Sequence, residues 1–157
     1  MILPDFVLTT RVGLQCNETG IDSLHEVVNK QHFLNYPHTI SYNYNSRGFR
    51  DIEWPDSPQE LASCIFCIGD SFTVGLGSSV DHMWSNVLAQ QAGIRIINVS
   101  LDGASNTWIA RKAQRVLQEI SPIAIICAWT YFHRRELDDT CMTDEDRRVH
   151  MIASTFE

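Results

Sequence analysis

The chain has 157 residues, of which 44% are hydrophobic and 20% charged, a composition typical of one globular domain and not of a disordered or fibrous protein. Twelve basic and 19 acidic residues give a formal net charge of −7. Because no cluster of Lys or Arg offsets this charge, nucleic acid is not an expected partner. The longest apolar run, residues 123–129, is far too short to span a membrane.

The five cysteines form an odd set in a chain whose N-terminus lacks the basic region of a secretion signal. This pattern predicts reduced thiols in a cytoplasmic, or at least cytosol-produced, protein. Cys64 and Cys67 form a C-x-x-C inside an apolar strand-like run, where side chains three apart face opposite sides. No second C-x-x-C or His pair completes a zinc site, so all five cysteines are interpreted as core or incidental residues.

Residues 1–60 differ in pattern from the remainder and are interpreted as an N-terminal extension packed on a core domain of residues 61–157. In chain order, the extension is predicted to contain a helix over 20–31, a strand over 39–44, a turn over 45–48 and a proline-broken linker over 54–58.

The core domain alternates strands with helices. Strands are predicted over 64–68, 94–99 and 123–130, and the helices between them begin at the N-caps Asp81 and Ser105. Gly93 ends the first of these helices and Pro122 the second. This alternation predicts an α/β fold with a parallel sheet, and right-handed crossovers then bring the three strand C-termini to one edge. Ligands bind at that edge in open α/β sheets.

A serine, Ser71, follows the first strand at that edge, on a turn that also contains Gly75 and Gly77. A serine hydroxyl becomes a nucleophile when a base accepts its proton and nearby N–H groups stabilise the oxyanion. A serine after Gly-Asp also commonly does no more than cap a turn, so both interpretations stay open on local sequence. A phosphate-binding loop is excluded because the turn lacks G-x-x-x-x-G-K-[ST].

Three segments resemble the SGNH, or GDSL, hydrolases: residues 67–75 (CIGDSFTVG), 98–105 (NVSLDGAS) and 44–51 (YNSRGFRD). The last of these is similar to a stretch that precedes the nucleophile in some bacterial and phage-encoded members. The resemblance implies a three-layer α/β sandwich with a mainly parallel central sheet, as in flavodoxin-like folds. It also implies serine-dependent hydrolysis of a carboxylester or a carbohydrate O-acetyl group.

Carried over by this resemblance, Ser71 is the nucleophile, and the N–H groups of Ser71 and Gly103 form an oxyanion hole. The family's third donor is an asparagine in a Gly-x-Asn-Asp block, whereas this chain has Thr130 at the matching strand end. A threonine hydroxyl has a shorter reach, and losing one such donor costs about a hundredfold or more in rate. Asn106 is a nearby candidate donor, although a role in satisfying backbone groups is the favoured interpretation.

The family's base pair, Asp-x-x-His, is absent, and Asp146 with His150 is the nearest equivalent. Four residues apart on a helix they share a face and can pair, but a solvated pair in a charged segment is the favoured alternative. His133 is a second candidate base. Residues 151–157 carry no helix stop, which predicts a C-terminally incomplete hydrolase whose base lies further on. The competing interpretation is a catalytically degenerate binding or structural module in a larger assembly, such as a virion if the chain is phage-encoded.

Overall fold

The computed structural model describes residues 6–8, 11–19 and 39–134. The predicted helix over 20–31 and the predicted pair Asp146 and His150 lie outside these residues. The described elements, in chain order, are β1 (Gln15–Thr19), β2 (Thr39–Asn43), α1 (Pro58–Ala62), β3 (Ile65–Gly69), α2 (Ser71–Val74), a 3-10 turn (Val80–His82), α3 (Trp84–Ala92), β4 (Ile96–Ser100), α4 (Asn106–Glu119) and β5 (Ala124–Cys127).

The fold is α/β, with a three-stranded parallel sheet in the order β4-β3-β5 and a separate antiparallel hairpin of β1 and β2. The predicted parallel strands are therefore confirmed, with boundaries that differ by a few residues. In register, Gly69 of β3 lies opposite Ser100 of β4, and Ile68 lies opposite Cys127 of β5. All three strands consequently end at one edge of the sheet.

Apolar side chains from the whole described length form one core. Phe66 and its neighbour Cys67 in β3, and Ile96 and its neighbour Ile97 in β4, are all buried. Because successive strand residues point to opposite faces, both faces of these strands are covered. The N-terminal segments join the same cluster through the side chains of Phe6, Leu8, Phe49 and Trp54. The Trp54 ring stacks on Phe49 at 5.4 Å and meets Phe66 edge-on at 5.9 Å. These aromatic contacts attach the hairpin region to the central strand.

Two sequence predictions are wrong in detail. The predicted linker over 54–58 contains a buried tryptophan and the start of α1, where Pro58 takes the first helical position and Ser57 is the N-cap. Proline is tolerated there because an N–H at that position has no partner within the helix. Asp81 does not cap α3, because the chain first makes its 3-10 turn and the helix starts after the buried Met83.

The predicted caps Ser105 and Gly93 are confirmed. The Ser105 hydroxyl accepts a hydrogen bond from the Trp108 N–H at 3.1 Å, and Gly93 ends α3 in a left-handed conformation with φ of 65°. No helix in the part of the chain that the structure describes is long and apolar enough to cross a bilayer.

The turn over 45–48 is stabilised by the side chain of Asn45 and packs against the N-terminal segment at Leu8. The Asn45 amide oxygen accepts from the N–H groups of Arg47 and Phe49, at 3.0 and 3.1 Å. Gly48 has φ of +83°, and a Cβ there would lie 2.2 Å from the carbonyl oxygen of Leu8. Because that contact is with backbone, a side chain at position 48 cannot be accommodated by a rotamer change.

We expect Gly48→Ala to lower the free energy of unfolding by about 3 kcal/mol, since it combines a left-handed conformation with a backbone clash. Gly93→Ala is the matched control: it has a similar φ of +65° but nothing within 4 Å of the added Cβ, so about 1 kcal/mol is expected. Urea unfolding of both variants tests this difference. Equal losses would show that the contact with Leu8 is relieved without cost.

Candidate active site

The shared sheet edge brings together three of the predicted site residues. Ser71 begins α2 just after β3, Gly103 follows β4, and Thr130 follows β5. The backbone continues the parallel pairing past the strands, since the Leu101 N–H donates to the Gly69 carbonyl at 3.1 Å and the Ala128 N–H to the Ile68 carbonyl at 2.8 Å. The three loops therefore leave the sheet side by side. The structure does not describe the other two predicted residues, Asp146 and His150.

Ser71 is half-buried and is the first residue of α2. The neighbouring Asp70 caps this helix, and its carboxylate takes the Phe72 N–H at 3.0 Å. Asp70 also accepts through its carbonyl from the N–H groups of Thr73 and Val74, at 2.9 Å each. Within the described residues, neither the N–H nor the hydroxyl of Ser71 forms a hydrogen bond. Both groups thus remain available for a ligand.

Gly103 supplies a second backbone N–H at this edge. The residue is buried and has φ of +74°, a left-handed conformation that favours glycine. The next residue, Ala104, donates its N–H back to the Leu101 carbonyl at 3.0 Å, and α4 then begins from its cap Ser105. The Gly103 N–H itself donates to no other group among the residues described.

Asp70 organises the polar side chains of the edge. Its carboxylate accepts the Thr130 hydroxyl at 2.5 Å and forms an ion pair with Arg134 at 3.0 Å, and its side chain is only 4% exposed. A buried carboxylate is stable when charged or polar donors surround it, as they do here. Asp70 therefore ties the loop after β5 to the turn that carries Ser71.

The contacts of Thr130 and Asn106 bear on the missing third oxyanion donor. The Asn106 side chain pairs with the backbone of Thr130, donating to its carbonyl at 3.2 Å and accepting its N–H at 2.8 Å. This is the backbone role favoured for Asn106 from the sequence. The single proton of the Thr130 hydroxyl points to Asp70, which competes with its predicted role as an oxyanion donor.

An open depression of about 480 Å³ lies next to the Ser71 turn, between the ends of β3 and β5. The sheet order places β5 on the side of β3 opposite β4. Ligand-binding crevices in open α/β sheets form outside the carboxyl ends of the strands, which is where this depression lies. Its lining is dominated by aromatic rings and comprises Asp70, Phe72, Trp129, Thr130, Tyr131 and Phe132. Trp129 is 61% exposed, although it ends an apolar run of the sequence.

The described histidines make contacts of their own. The Nδ1 atom of His82 is 3.1 Å from the Ser79 hydroxyl, and the His133 ring stacks on Tyr131 at 5.6 Å. His133 is on the loop that follows β5, as predicted, and also meets the Phe132 ring edge-on. In the part of the chain with described positions, no histidine is hydrogen-bonded to Ser71.

Asn98 and Asp51, whose roles the sequence did not reveal, support the turn that carries Ser71. Asn98 contacts the turn, and Asp51 contacts Asn98. The Asn98 amide of β4 donates to the Thr73 carbonyl at 2.8 Å, while the Asn98 N–H donates to the Asp51 carboxylate at 2.9 Å. Polar residues inside an otherwise apolar strand, such as Asn98 and Ser100, were the available signal. Their partners lie too far away in the chain to be identified from sequence.

Asp51 is a buried acid on the far side of β4. It pairs with Arg95 at 2.9 Å, and burial raises its pKa from 3.8 to about 6, although Arg95 and the Asn98 N–H favour the charged form and lower it. A polar cavity of about 390 Å³ adjoins it. Its lining includes Asp51 and Arg95, which pair with each other, together with Arg50 and Asp81.

Three cysteine thiols can be placed within the described ranges. Cys64, Cys67 and Cys127 are free, and burial raises the pKa of the Cys67 thiol to about 12, so it is protonated and unreactive at neutral pH. The described ranges contain no group of three or more His, Cys, Asp or Glu side chains that could hold a metal ion.

No protein-family model, curated protein or solved structure matches this chain.

We expect the stability difference between the wild type and Asp51→Asn to depend on pH. A folded pKa above the unfolded value means that ionisation disfavours the folded state, so the wild type loses stability relative to the variant as pH rises from about 4 to 6. The loss reaches at most about 3 kcal/mol and then levels off. Urea unfolding at intervals from pH 3.5 to 8 measures it. A relative stability that increases with pH would show that pairing with Arg95 outweighs burial.

Thr130→Val keeps the side-chain shape but removes the hydroxyl that donates to Asp70. We expect it to lower the free energy of unfolding by about 1–2 kcal/mol, because a buried carboxylate loses a donor. Thr107→Val, an exposed position on α4, is the control and should change stability little. Thermal unfolding of the two variants distinguishes them. If Thr130→Val leaves the stability unchanged but slows covalent labelling of Ser71, the Thr130 hydroxyl is instead an oxyanion donor.

Proposed function

We propose that the chain is a serine-dependent ester hydrolase of the SGNH, or GDSL, class, with Ser71 as its nucleophile. The observation that carries this proposal is the position of Ser71 at the C-terminal end of the central strand of a parallel sheet, with its N–H and hydroxyl unbonded among the described residues. The Gly103 N–H, available at the same edge, supplies the second donor that the proposal needs.

The sheet order supports the three-layer sandwich of that class. The path goes from β3 to β4 on one side and then back across β3 to β5 on the other. If both crossovers have the usual right hand, α3 and α4 cover opposite faces of the sheet. The order second-first-third is that of the first three strands of flavodoxin-like folds, whose ligands bind at the corresponding switch point.

In the proposed reaction, the Ser71 hydroxyl oxygen attacks the ester carbonyl carbon while a base accepts the hydroxyl proton. The N–H groups of Ser71 and Gly103 donate to the oxyanion of the tetrahedral intermediate. The tetrahedral intermediate then collapses to an acyl-serine and expels the alkoxide, which takes the proton from the base and leaves as the alcohol. Water then attacks with the same base assisting, releasing the acid and restoring Ser71. No metal or organic cofactor is part of this scheme.

The scheme also needs a base, and no described histidine is hydrogen-bonded to Ser71. Asp146 with His150 stays the proposed orienting and base pair, by resemblance to the family's arrangement. His133 is the alternative, because its loop leaves the sheet at the Ser71 edge. The Thr130 hydroxyl would complete the oxyanion hole only by leaving Asp70.

The depression between the β3 and β5 ends fits the non-reacting part of an ester substrate. Its aromatic lining suits the apolar face of a sugar or an acyl chain, in keeping with a carboxylester or a carbohydrate O-acetyl group. A volume of about 480 Å³ exceeds what an acetyl group alone requires. The proposed substrate is therefore a small-molecule or carbohydrate ester whose larger portion lies on these rings.

The second candidate is a catalytically degenerate SGNH-like module that binds or assembles, for example within a virion. The observation that favours it is that no described histidine bonds to Ser71. A serine without a base keeps only the residual catalysis that binding and an oxyanion hole provide.

Labelling with a fluorophosphonate distinguishes the two candidates. An activated Ser71 attacks phosphorus and expels fluoride, so we expect Ser71→Ala to lower the labelling rate by about a hundredfold or more. Ser78→Ala is the matched control, a half-buried serine of the same segment, and should label at the wild-type rate. Equal labelling of wild type and Ser71→Ala would remove Ser71 as the nucleophile and favour the binding module.

A further inference from the structure

Arg50 is a buried arginine that binds backbone carbonyls with both terminal nitrogens. Its exposure is 2%, and its Nη1 donates to the carbonyls of Val74 and Gly75, at 3.1 and 2.5 Å. Nη2 donates to the carbonyls of Ser78 and Ser41, at 2.8 and 3.2 Å. Hydrogen bonds from a charged donor in a buried site are among the strongest available to a protein.

Three of these four carbonyls belong to the segment that continues from Ser71. The helix α2 has four residues, so it cannot satisfy its own last carbonyls. Arg50 takes those of Val74 and Gly75, and Asn98 takes that of Thr73. Without these donors, the carbonyls of Thr73 and Val74 would lose these hydrogen bonds, while that of Gly75 would keep only the Ser78 N–H, at 3.1 Å.

The fourth carbonyl and the adjacent aromatic ring tie this segment to the hairpin. The Arg50 guanidinium lies 4.3 Å from the centre of the Tyr42 ring on β2, and the Tyr42 hydroxyl accepts the Gly77 N–H at 2.9 Å. Gly75, with φ of +74°, permits this approach, because a Cβ there would lie 3.2 Å from Nη1 of Arg50 and 2.6 Å from Cγ of Met83.

We infer that Arg50 is a positioning residue that fixes residues 71–79, and with them the Ser71 hydroxyl and N–H, against the Gly103 loop. Arg50 does not reach the reacting atoms. It acts through backbone carbonyls that only a planar fork of donors can engage together. The catalytic consequence rests on the proposed function of Ser71, whereas the fixing of the segment does not.

Hydrogen exchange measured by mass spectrometry tests the fixing directly, with or without catalysis. In Arg50→Lys we expect the amides of residues 72–78 to exchange at least about tenfold faster, while those of β3 and β4 keep the wild-type rate. Arg47→Lys is the matched control, since this arginine lies three residues before Arg50 and sits over the Trp54 ring at 5.0 Å. It should leave residues 72–78 unchanged. Unchanged exchange in Arg50→Lys, or faster exchange everywhere, overturns the inference.

Arg50→Ala provides a second exchange experiment, which is independent of whether Arg50→Lys folds. Millimolar methylguanidinium should enter the vacated site and restore slow exchange in residues 72–78, whereas methylammonium at equal concentration should not. Equal effects of the two ions, or no effect of either, contradict a role for the guanidinium fork. The ion-specific rescue is a readout that a general loss of packing would not give.

The fluorophosphonate rate then shows whether this position matters to Ser71. If the wild type labels at Ser71, Arg50→Lys should label at least about tenfold more slowly and methylguanidinium should speed labelling of Arg50→Ala. If the wild type does not label, the proposed function fails and the exchange measurements alone decide the role of Arg50. Normal labelling in a variant with fast exchange would overturn the positioning of Ser71.

Discussion

The pairing of β3 with parallel neighbours on both sides is the constraint on which the site depends. Because β3 is buried and its partners run in the same direction, the three strands must end together. Residues that are far apart in the chain, Ser71, Gly103 and Thr130, thereby reach one edge. These residues are polar or backbone-exposing and lie in loops, whereas the strands that carry the loops are largely apolar. The sheet therefore provides a rigid support and the loops provide the functional groups.

The segment 45–51 gives the second constraint, because nearly every residue in it holds another part of the protein. Asn45 closes its own turn, Gly48 admits the Leu8 carbonyl, and Phe49 enters the core. Arg50 then binds the carbonyls behind Ser71, and Asp51 accepts an N–H from β4, which has a strand neighbour on only one side in the described sheet. The segment 45–51 thus fastens the turn that carries Ser71.

Each of two buried carboxylates, Asp70 and Asp51, is paired with an arginine and with a further hydrogen-bond donor. Asp70 is compensated by Arg134 and by the Thr130 hydroxyl, while Asp51 is paired with Arg95 and with a backbone N–H. Charge in a poorly solvated site is tolerated only with such donors. In the case of Asp51 the donors do not fully offset burial, and the raised pKa reflects this.

The sequence by itself determined the α/β class, the parallel strands, the caps at Ser105 and Gly93 and the strand end that bears Ser71. These features depend on local periodicity and on residues next to each other in the chain. It misjudged the segment around Trp54, because the proline that suggested a linker is compatible with a first helical turn. The resemblance to a hydrolase family, its base pair and its substrate stay predictions.

Only the tertiary structure decided which polar groups are already used and which are available. The sequence shows Arg50 and Asp51 as two polar residues of one segment and Thr130 as a candidate oxyanion donor. Their partners are tens of residues away, at Gly75, Asn98 and Asp70. Such pairings arise from how loops meet over a folded sheet, and no local pattern encodes them, because a buried donor takes whichever carbonyl or carboxylate the packing brings within reach.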